Sequence, residues 1–342
     1  MRVLLVKTSS LGDVIHNLPV VTDFRAHFPE AAIDWVVEED FADIARLHPG
    51  VRRVIPVALR RWRRAPLTPA TWRELRAFRA MLREEAYDRV IDTQGLLKSA
   101  LITRMARGKH CGYAASSARE ALAARFYDAG FDVPRTLHAV ERNRRLAALS
   151  GGYGIELAPD YGIVATCPRS GDDGPQRTVA GPQRSVPGSQ GEGMRRATTG
   201  DMPSAVLLTA TSRDDKLWPQ ERWIALGRAL HERGLTCLLP AGSAAERQRA
   251  GQLALAIPGA IALPPLSLNQ LAEHLAAARI VIGVDTGLVH LAAALGRPVL
   301  ALFCASDPAL TGVLARTPAI NLGARGQPPR VDDVLAAALP FL

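Results

Sequence analysis

The sequence predicts an α/β protein built on parallel sheets, and three observations carry that prediction. Short apolar runs rich in Val, Leu and Ile alternate with segments of helical period along both halves of the chain. Such runs are what strands look like when helices cover both faces of a sheet. Several of them end in small polar residues or glycine just before a helix opens, which is where ligands bind in sheets of this kind. A length of 342 residues accommodates two domains.

The first domain is expected over residues 1–160, with strands near 2–6, 33–37, 53–57 and 89–92 and helices near 13–27, 71–86, 97–106 and 138–149. Its opening is the most informative stretch. Arg2 to Val6 is a short β-branched run, Thr8, Ser9 and Ser10 are small and polar, and Gly12 tolerates backbone angles that other residues resist. From Val14 through Leu18 to Val21, apolar residues return at helical spacing. Asp13 therefore stands at a strand-to-helix junction, where it either caps the helix or faces the crevice beyond the strand. The second domain, residues 205–342, repeats the pattern. Its strands are expected at 205–209, 236–240, 280–283 and 299–303, and its helices near 219–233, 244–256, 268–277 and 287–295. Residues 161–204 join the two, and within them Cys167 to Pro203 is rich in Gly, Pro, Ser, Gln and Arg, with the near-duplicates GPQRTVA and GPQRSVP. That stretch has too few large apolar residues to bury a core and is expected to be a flexible insertion with no catalytic part.

Composition narrows the class. A hydrophobic content of 48% with 22% charged residues is that of a soluble globular chain, and no apolar run approaches the roughly 20 residues of a membrane-spanning helix. The start, MRVLLVKTSS, runs straight into a strand and carries no signal peptide, so a cytoplasmic location is expected. Cys111, Cys167, Cys237 and Cys304 lie far apart with no CxxC pairing, which argues against a zinc site and a disulfide framework. The formal charge of +9 calls for an anionic partner: nucleic acid, an acidic membrane surface or a phosphorylated substrate. Between Val51 and Arg64, Arg52, Arg53, Arg60, Arg61, Arg63 and Arg64 occur with no acid among them, forming either a solvated basic loop or a binding surface. Aromatic residues are 5% of the chain and Trp62 alone interrupts the cluster, so there is little surface for base stacking and no nucleic-acid partner is expected.

Two stretches of the second domain suit a nucleotide diphosphate. In Leu207 to Pro219 a buried strand gives way to Thr211 and Ser212, which offer donors, and then to Lys216, a cation suited to charge building on a leaving phosphate. In Ile280 to Ala294 a strand ends in Asp285-Thr286-Gly287 and a small-residue helix opens, whose free backbone N–H groups can hold a diphosphate. Asp285 could instead cap that helix, and His290 lies one turn inside it. After another strand, Gly242-Ser-Ala-Ala-Glu246 puts a carboxylate where ribose hydroxyls could bind. The GxGxxG and GxxxxGK[ST] patterns are missing from all three stretches, which disfavours dinucleotide oxidoreductases and P-loop triphosphatases.

Taken together and in order, KTSSLGDVIHNLP, RRWRR, DTQGLLKSA, TSRDDKLWP and VDTGLVHLAAALGRP resemble the lipopolysaccharide heptosyltransferases of glycosyltransferase family 9, specifically the type that makes the first transfer. The resemblance covers both domains. The insertion has no counterpart in the family pattern, and Leu266 and Ser267 depart from its stretch near the adenine. The resemblance implies a GT-B architecture, two facing Rossmann-like domains around a cleft, and inverting transfer of L-glycero-D-manno-heptose from ADP-heptose to the inner Kdo of Kdo2-lipid A, with no metal and no cofactor. It makes Asp13 the general base and Lys216 the stabiliser of departing ADP. Thr211, Ser212, Lys216, Glu246, Asp285, Thr286, Gly287, Leu288 and His290 fall on the donor side. Ser10, Gly12, Arg60, Arg61, Arg63, Arg64 and Lys98 fall on the acceptor side. It further implies a protein peripheral on the anionic inner face of the inner membrane. The competing readings are a related heptosyltransferase adding a later core heptose and a non-enzymatic anion-binding peripheral membrane protein.

Overall fold

The computed structural model describes residues 1–163, 202–211 and 213–342. Ser212 and nearly all of the Gly/Pro-rich insertion, Cys167 included, lie outside the described residues. The chain runs β1 (Arg2–Val6), α1 (Leu11–Ile15), α2 (Leu18–His27), β2 (Ala32–Glu38), α3 (Ala42–Arg46), β3 (Val51–Val57), α4 (Leu59–Arg64), α5 (Pro69–Arg83), β4 (Ala86–Asp92), α6 (Leu97–Met105), β5 (Arg107–Tyr113), β6 (Ala129–Phe131) and α7 (Ala139–Gly151). After the insertion come β7 (Ser204–Leu208), α8 (Gln220–His231), β8 (Thr236–Leu239), α9 (Ala244–Ala256), β9 (Ile261–Ala262), α10 (Leu268–Ala277), β10 (Ile280–Val284), α11 (Gly287–Ala294), β11 (Val299–Phe303), α12 (Pro308–Thr311), β12 (Ala319–Gly323) and α13 (Val331–Ala338).

The strands form two six-stranded sheets, ordered β3-β2-β1-β4-β5-β6 and β12-β11-β10-β7-β8-β9, and every pairing within them is parallel. Renumbered from its own first strand, the second sheet has the order of the first, that of a doubly wound dinucleotide-type domain. In each, the strand order reverses between the first and fourth strands: β1 and β4 in one sheet, β7 and β10 in the other. Strands β10 and β11 are apolar and buried throughout, and β1 is so after its exposed Arg2, as helices on both faces require.

Several sequence expectations are corrected. The single helix expected over 13–27 is two, because the chain turns at His16 and Asn17 before Pro19 enters the first turn of α2. The helix expected to reach residue 86 ends at Arg83, and Ala86 already belongs to β4. The arginine-rich segment is no loop: Val51–Val57 is a strand and Leu59–Arg64 a helix. Strands β5, β6, β9 and β12 and the terminal helix α13 escaped the periodicity argument, since RGKHCGY and AGF lack apolar alternation and β9 is two residues long.

Several buried polar groups tie the layers together through hydrogen bonds between elements. Asp34 of β2 is fully buried and accepts bidentate hydrogen bonds from Arg52 at 2.9 and 2.7 Å and one from the Tyr87 hydroxyl at 2.8 Å. Arg144 of α7 donates to both oxygens of Asp23 on α2, at 2.8 and 3.1 Å. In the second domain Trp218 and Trp223 pack edge to face at 4.9 Å, and the Trp218 indole donates to the Pro329 carbonyl at 2.9 Å.

One core cluster runs through both domains, from Val14 and Ile15 of α1 to Val289 and Leu291 of α11. The approach is close enough to need glycine. A Cβ on Gly287 would sit 2.7 Å from Leu11 Cγ and 2.8 Å from the Gly12 amide nitrogen, and one on Gly12 would sit 3.6 Å from Gly287 Cα. Around that contact, His16 Nε2 and His290 Nδ1 are 3.2 Å apart, His138 Nε2 lies 2.9 Å from the Gly312 carbonyl oxygen, and the Tyr161 hydroxyl donates to the Leu314 carbonyl at 2.6 Å. Gly287→Val is expected to leave both sheets folded and force α1 from α11, at an overpacking cost of about 1–3 kcal/mol. Unchanged thermal stability together with unchanged turnover in that variant is the result that contradicts this account of the interface.

Candidate functional site

The segments after β1, β7 and β10 meet in one cleft, joined by residues that follow β2, β3 and β5, so the two sheets bring their crevices together. The cleft holds about 430 Å³ and is lined from the first domain by Ser10, Gly12, Asp13, His16, Phe41, Arg60 and Arg119, and from the second by Thr211, Lys216, Asp285, Thr286, Gly287 and His290. A second pocket of about 300 Å³ shares Leu11, Thr211 and Thr286 with it and extends into the second domain. Its wall is apolar, made by Leu208, Pro240, Leu266, Leu268, Leu271 and Leu288, with Glu246 as its carboxylate. One charged cleft opening into one apolar slot suits a ligand with an anionic middle and a flat apolar end.

Asp13 does both things its sequence position allowed. Its Oδ2 accepts from the Ser10 amide at 3.1 Å, capping α1, while Oδ1 accepts from Arg119 at 2.8 Å and lies 3.9 Å from Lys7 Nζ. Burial pushes the Asp13 carboxyl pKa up, but Lys7, Arg119, His16 and the Ser10 amide act against it, and the result lies well below the usual carboxylate range. Lys7 is fully buried, donates to the Thr93 carbonyl at 2.8 Å and to Asn143 Oδ1 at 3.3 Å, and is pulled down to about 8, by burial first and against the upward pull of Asp13. The loop after β4 supports this arrangement. Asp92 Oδ1 accepts from the Gln94 and Gly95 amides, Oδ2 accepts from the Tyr127 hydroxyl at 2.8 Å, and Gln94 Oε1 accepts from the amide and hydroxyl of Thr8.

On the facing wall, Lys216 closes a short turn after β7 and donates to Asp285 Oδ2 at 2.6 Å, an oxygen that also accepts from the Ser306 hydroxyl. Thr211 donates its hydroxyl proton to the Asp285 carbonyl at 3.0 Å. Asp285 is therefore not the cap of α11; Thr286 holds that position, and the carboxylate is paired with Lys216 instead. The first amides of α11 have no intrahelical acceptor, and at this end of the helix Gly287 lines the cleft and Leu288 the apolar pocket. His290 is buried against His16. Burial lowers its pKa to about 4 and holds that of His16 well below the ordinary imidazole value, so both rings are neutral and share one hydrogen bond. Glu246 is the third helical residue of α9, where its carboxylate accepts from the Gly242 amide at 2.8 Å and the Ser243 amide at 3.2 Å, so it caps a helix as well as lining the apolar pocket.

The arginine cluster is sorted by the fold. Acids remote in sequence reach most of it: Arg52 pairs with Asp34 and Glu85, Arg53 with Asp34 and Glu84, Arg60 with Asp40, and Arg61 with Glu39 and Glu74. Of the acceptor-side arginines expected there, Arg60 lines the cleft, its guanidinium 4.9 Å from the Phe41 ring centroid, while Arg61, Arg63 and Arg64 do not. Lys98 lies outside the cleft lining too and donates to the Ser9 hydroxyl at 3.2 Å. Sequence reasoning missed Lys7, His16, Phe41 and Arg119. Arg119 sits in AASSARE, which carries no motif, and Lys7 reads as a residue at the end of a strand. Among the described residues, no three His, Cys, Asp or Glu side chains converge as a metal site.

The Lys7→Met variant isolates the electrostatics at Asp13. Losing the neighbouring ammonium leaves burial less opposed, so the carboxyl pKa rises, and the acid limb of kcat/KM against pH is expected to move upward by about 1 unit or more. A folded Lys7→Met protein whose acid limb coincides with that of the parent contradicts this reading.

Comparison with known proteins agrees with this geometry. The profile of glycosyltransferase family 9 (heptosyltransferase) matches residues 75–335. Lipopolysaccharide heptosyltransferase 1 of Pseudomonas aeruginosa is 45% identical over 325 residues, covering 94% of this chain and 84% of that protein. The solved structure of E. coli heptosyltransferase WaaC with ADP has a TM-score of 0.86 at 39% identity and covers 100% of both chains. The same enzyme with ADP-2-deoxy-2-fluoro heptose has a TM-score of 0.81, at 39% identity over 99% of this chain and 98% of that one.

Proposed function

The chain belongs to glycosyltransferase family 9, the heptosyltransferases, and from that premise we propose that it transfers L-glycero-D-manno-heptose, with inversion, from ADP-heptose to the inner Kdo of Kdo2-lipid A. The observation that carries the reading is the opposition of Asp13 to the Lys216–Asp285 pair across one cleft, with the apolar pocket continuing on the Lys216 side. ADP fits that side. The adenosine takes the pocket of Leu208, Leu266, Leu268 and Leu288, Glu246 meets the ribose hydroxyls, and the diphosphate lies at Thr211, Lys216 and the first turn of α11.

In the transfer, Asp13 takes the proton of the attacking Kdo hydroxyl while that oxygen bonds to the anomeric carbon of heptose. The bond from that carbon to the phosphate oxygen breaks on the opposite face, and ADP leaves with the electron pair. Lys216 turns from Asp285 toward the diphosphate and neutralises the charge that builds there. The strongly ionised state of Asp13 keeps it free of its own proton at neutral pH, and Arg119 and Lys7 hold its orientation. Arg60 and Arg119 offer forked donors to the Kdo carboxylate, with Ser10 and Gly12 beside them and Arg61, Arg63, Arg64 and Lys98 meeting the outer acidic groups of the acceptor.

The first-transfer assignment is favoured over a later core heptose because a carboxylate-bearing acceptor matches the cations on the Asp13 wall, and because the 45%-identical relative is a heptosyltransferase 1. No helix among the described residues is long and apolar enough to cross a membrane. The lipid acceptor places the enzyme peripherally on the anionic inner face of the inner membrane.

The deciding assay is release of ADP from ADP-heptose with and without Kdo2-lipid A, together with a mass gain of one heptose on the acceptor. Transfer to heptosylated core but not to Kdo2-lipid A overturns the acceptor assignment. Asp13→Asn is expected to lower kcat by about 100- to 10,000-fold with ADP-heptose affinity nearly unchanged. Lys216→Met is expected to cost about 100- to 1,000-fold. Loss of donor affinity in Asp13→Asn equal to the loss of turnover returns Asp13 to a purely capping role.

A further inference from the structure

Helix α5 turns Phe78 and Leu82 into the core, and Trp62 of α4 packs edge to face on Phe78 at 5.8 Å. A flank of the helix, roughly a third of a turn from that face, is a ridge. Trp72, Arg76, Arg79 and Arg83 recur at i, i+4, i+7 and i+11, so they stack in one row over the whole helix, and all four are exposed. The acids of this region point elsewhere and are occupied: Glu74 binds Arg61 and the Trp62 indole, Glu84 binds Arg53 and Glu85 binds Arg52. Among the described residues, Arg63, Arg64, Arg73, Arg76, Arg79 and Arg83 form no ion pair, in contrast to Arg52, Arg53, Arg60 and Arg61. Two apolar side chains stand within this uncompensated charge, Leu67 at 88% and Trp72 at 51% exposure. At the near end of α4, Arg60 lines the cleft.

We infer that the α4–α5 ridge is the surface by which the protein docks on a bilayer of anionic phospholipids. Arginine forks pair with lipid phosphates, and Trp72 and Leu67 enter the headgroup region, where an indole with one polar edge is stable. The uncompensated charge sets this face apart from the arginines beside it, which are neutralised by acids. Docking here brings the Arg60 end of the cleft to the membrane, on the wall assigned to the acceptor. The inference rests on the peripheral-membrane part of the proposed function and gives it a location.

The test uses the whole protein, vesicles of phosphatidylglycerol in phosphatidylcholine, and phosphatidylcholine vesicles as reference. The parent is expected to sediment with the anionic vesicles in low salt and to be released by added salt. A triple variant, Arg76→Glu with Arg79→Glu and Arg83→Glu, is expected to partition on the order of 100-fold more weakly, at about fivefold for each cation lost from an anionic surface. Trp72→Ala weakens binding in the same direction. On a soluble Kdo acceptor lacking acyl chains the triple variant keeps the parental kcat/KM, which also shows that it folds, while its rate on Kdo2-lipid A embedded in vesicles falls. Equal vesicle binding by parent and triple variant overturns the ridge alone. No anionic-vesicle binding by the parent overturns both ridge and membrane contact, and leaves heptosyl transfer to be judged on the soluble acceptor.

Discussion

The contact on which the site depends is the approach of α1 to α11 through Gly12 and Gly287. Each sheet, taken alone, ends in an open crevice at its switch point, and neither crevice encloses a reaction. Because Gly287 has no side chain, the backbone of Gly12 and the side chain of Leu11 seat directly on the start of α11, and the two crevices become one cleft. The neutral His16–His290 pair and the shared apolar core lie directly behind that contact. The proposed general base and the proposed diphosphate site lie on separate domains, and they act on the same bond only when such a contact fixes their distance.

Both walls of the cleft are made of charges already paired. Asp13 is held by Lys7 and Arg119, and Lys216 by Asp285, whose Oδ2 also accepts from the Ser306 hydroxyl. Half-buried ions left alone lose hydration they cannot recover, so pairing is what allows them to stand in the cleft at all. The pairing also sets what ligands must do. Under the proposed placement, a diphosphate at Lys216 competes with a carboxylate 2.6 Å away, and an acceptor acid at Arg119 competes with Asp13 itself. Binding therefore exchanges one set of ion pairs for another rather than neutralising free charge, which favours ligands that present anionic groups at both places.

The arginines show how folding redistributes what composition counts. Residues 52–64 hold six cations and no acid, yet the fold delivers Asp34, Glu39, Asp40, Glu74, Glu84 and Glu85 to four of them. Arg63 and Arg64 stay without an ion pair among the described residues, and further uncompensated charge stands on the outer row of α5, a helix in which no sequence motif stood out. The net charge of +9 is the same in either description; its location is not.

The sequence by itself determined the two parallel α/β domains and the junctions that matter, because buried strands and helix starts leave local signatures: apolar runs, small polar loops, and Asp13, Lys216 and Asp285-Thr286-Gly287 standing just past strand ends. It also carried the family, since five motifs in order are a pattern that chance does not assemble. The tertiary structure alone decided which groups meet. Lys7 reads as an ordinary residue at a strand end until burial lowers its pKa, Arg119 has no local signal because its partner lies 106 positions away, and Asp285 reads equally as a helix cap or as part of a diphosphate site until the turn after β7 brings Lys216 to it. Propensity is written in neighbouring residues, whereas charge pairing, desolvation and the fit of one glycine against another depend on distances that only the folded chain sets.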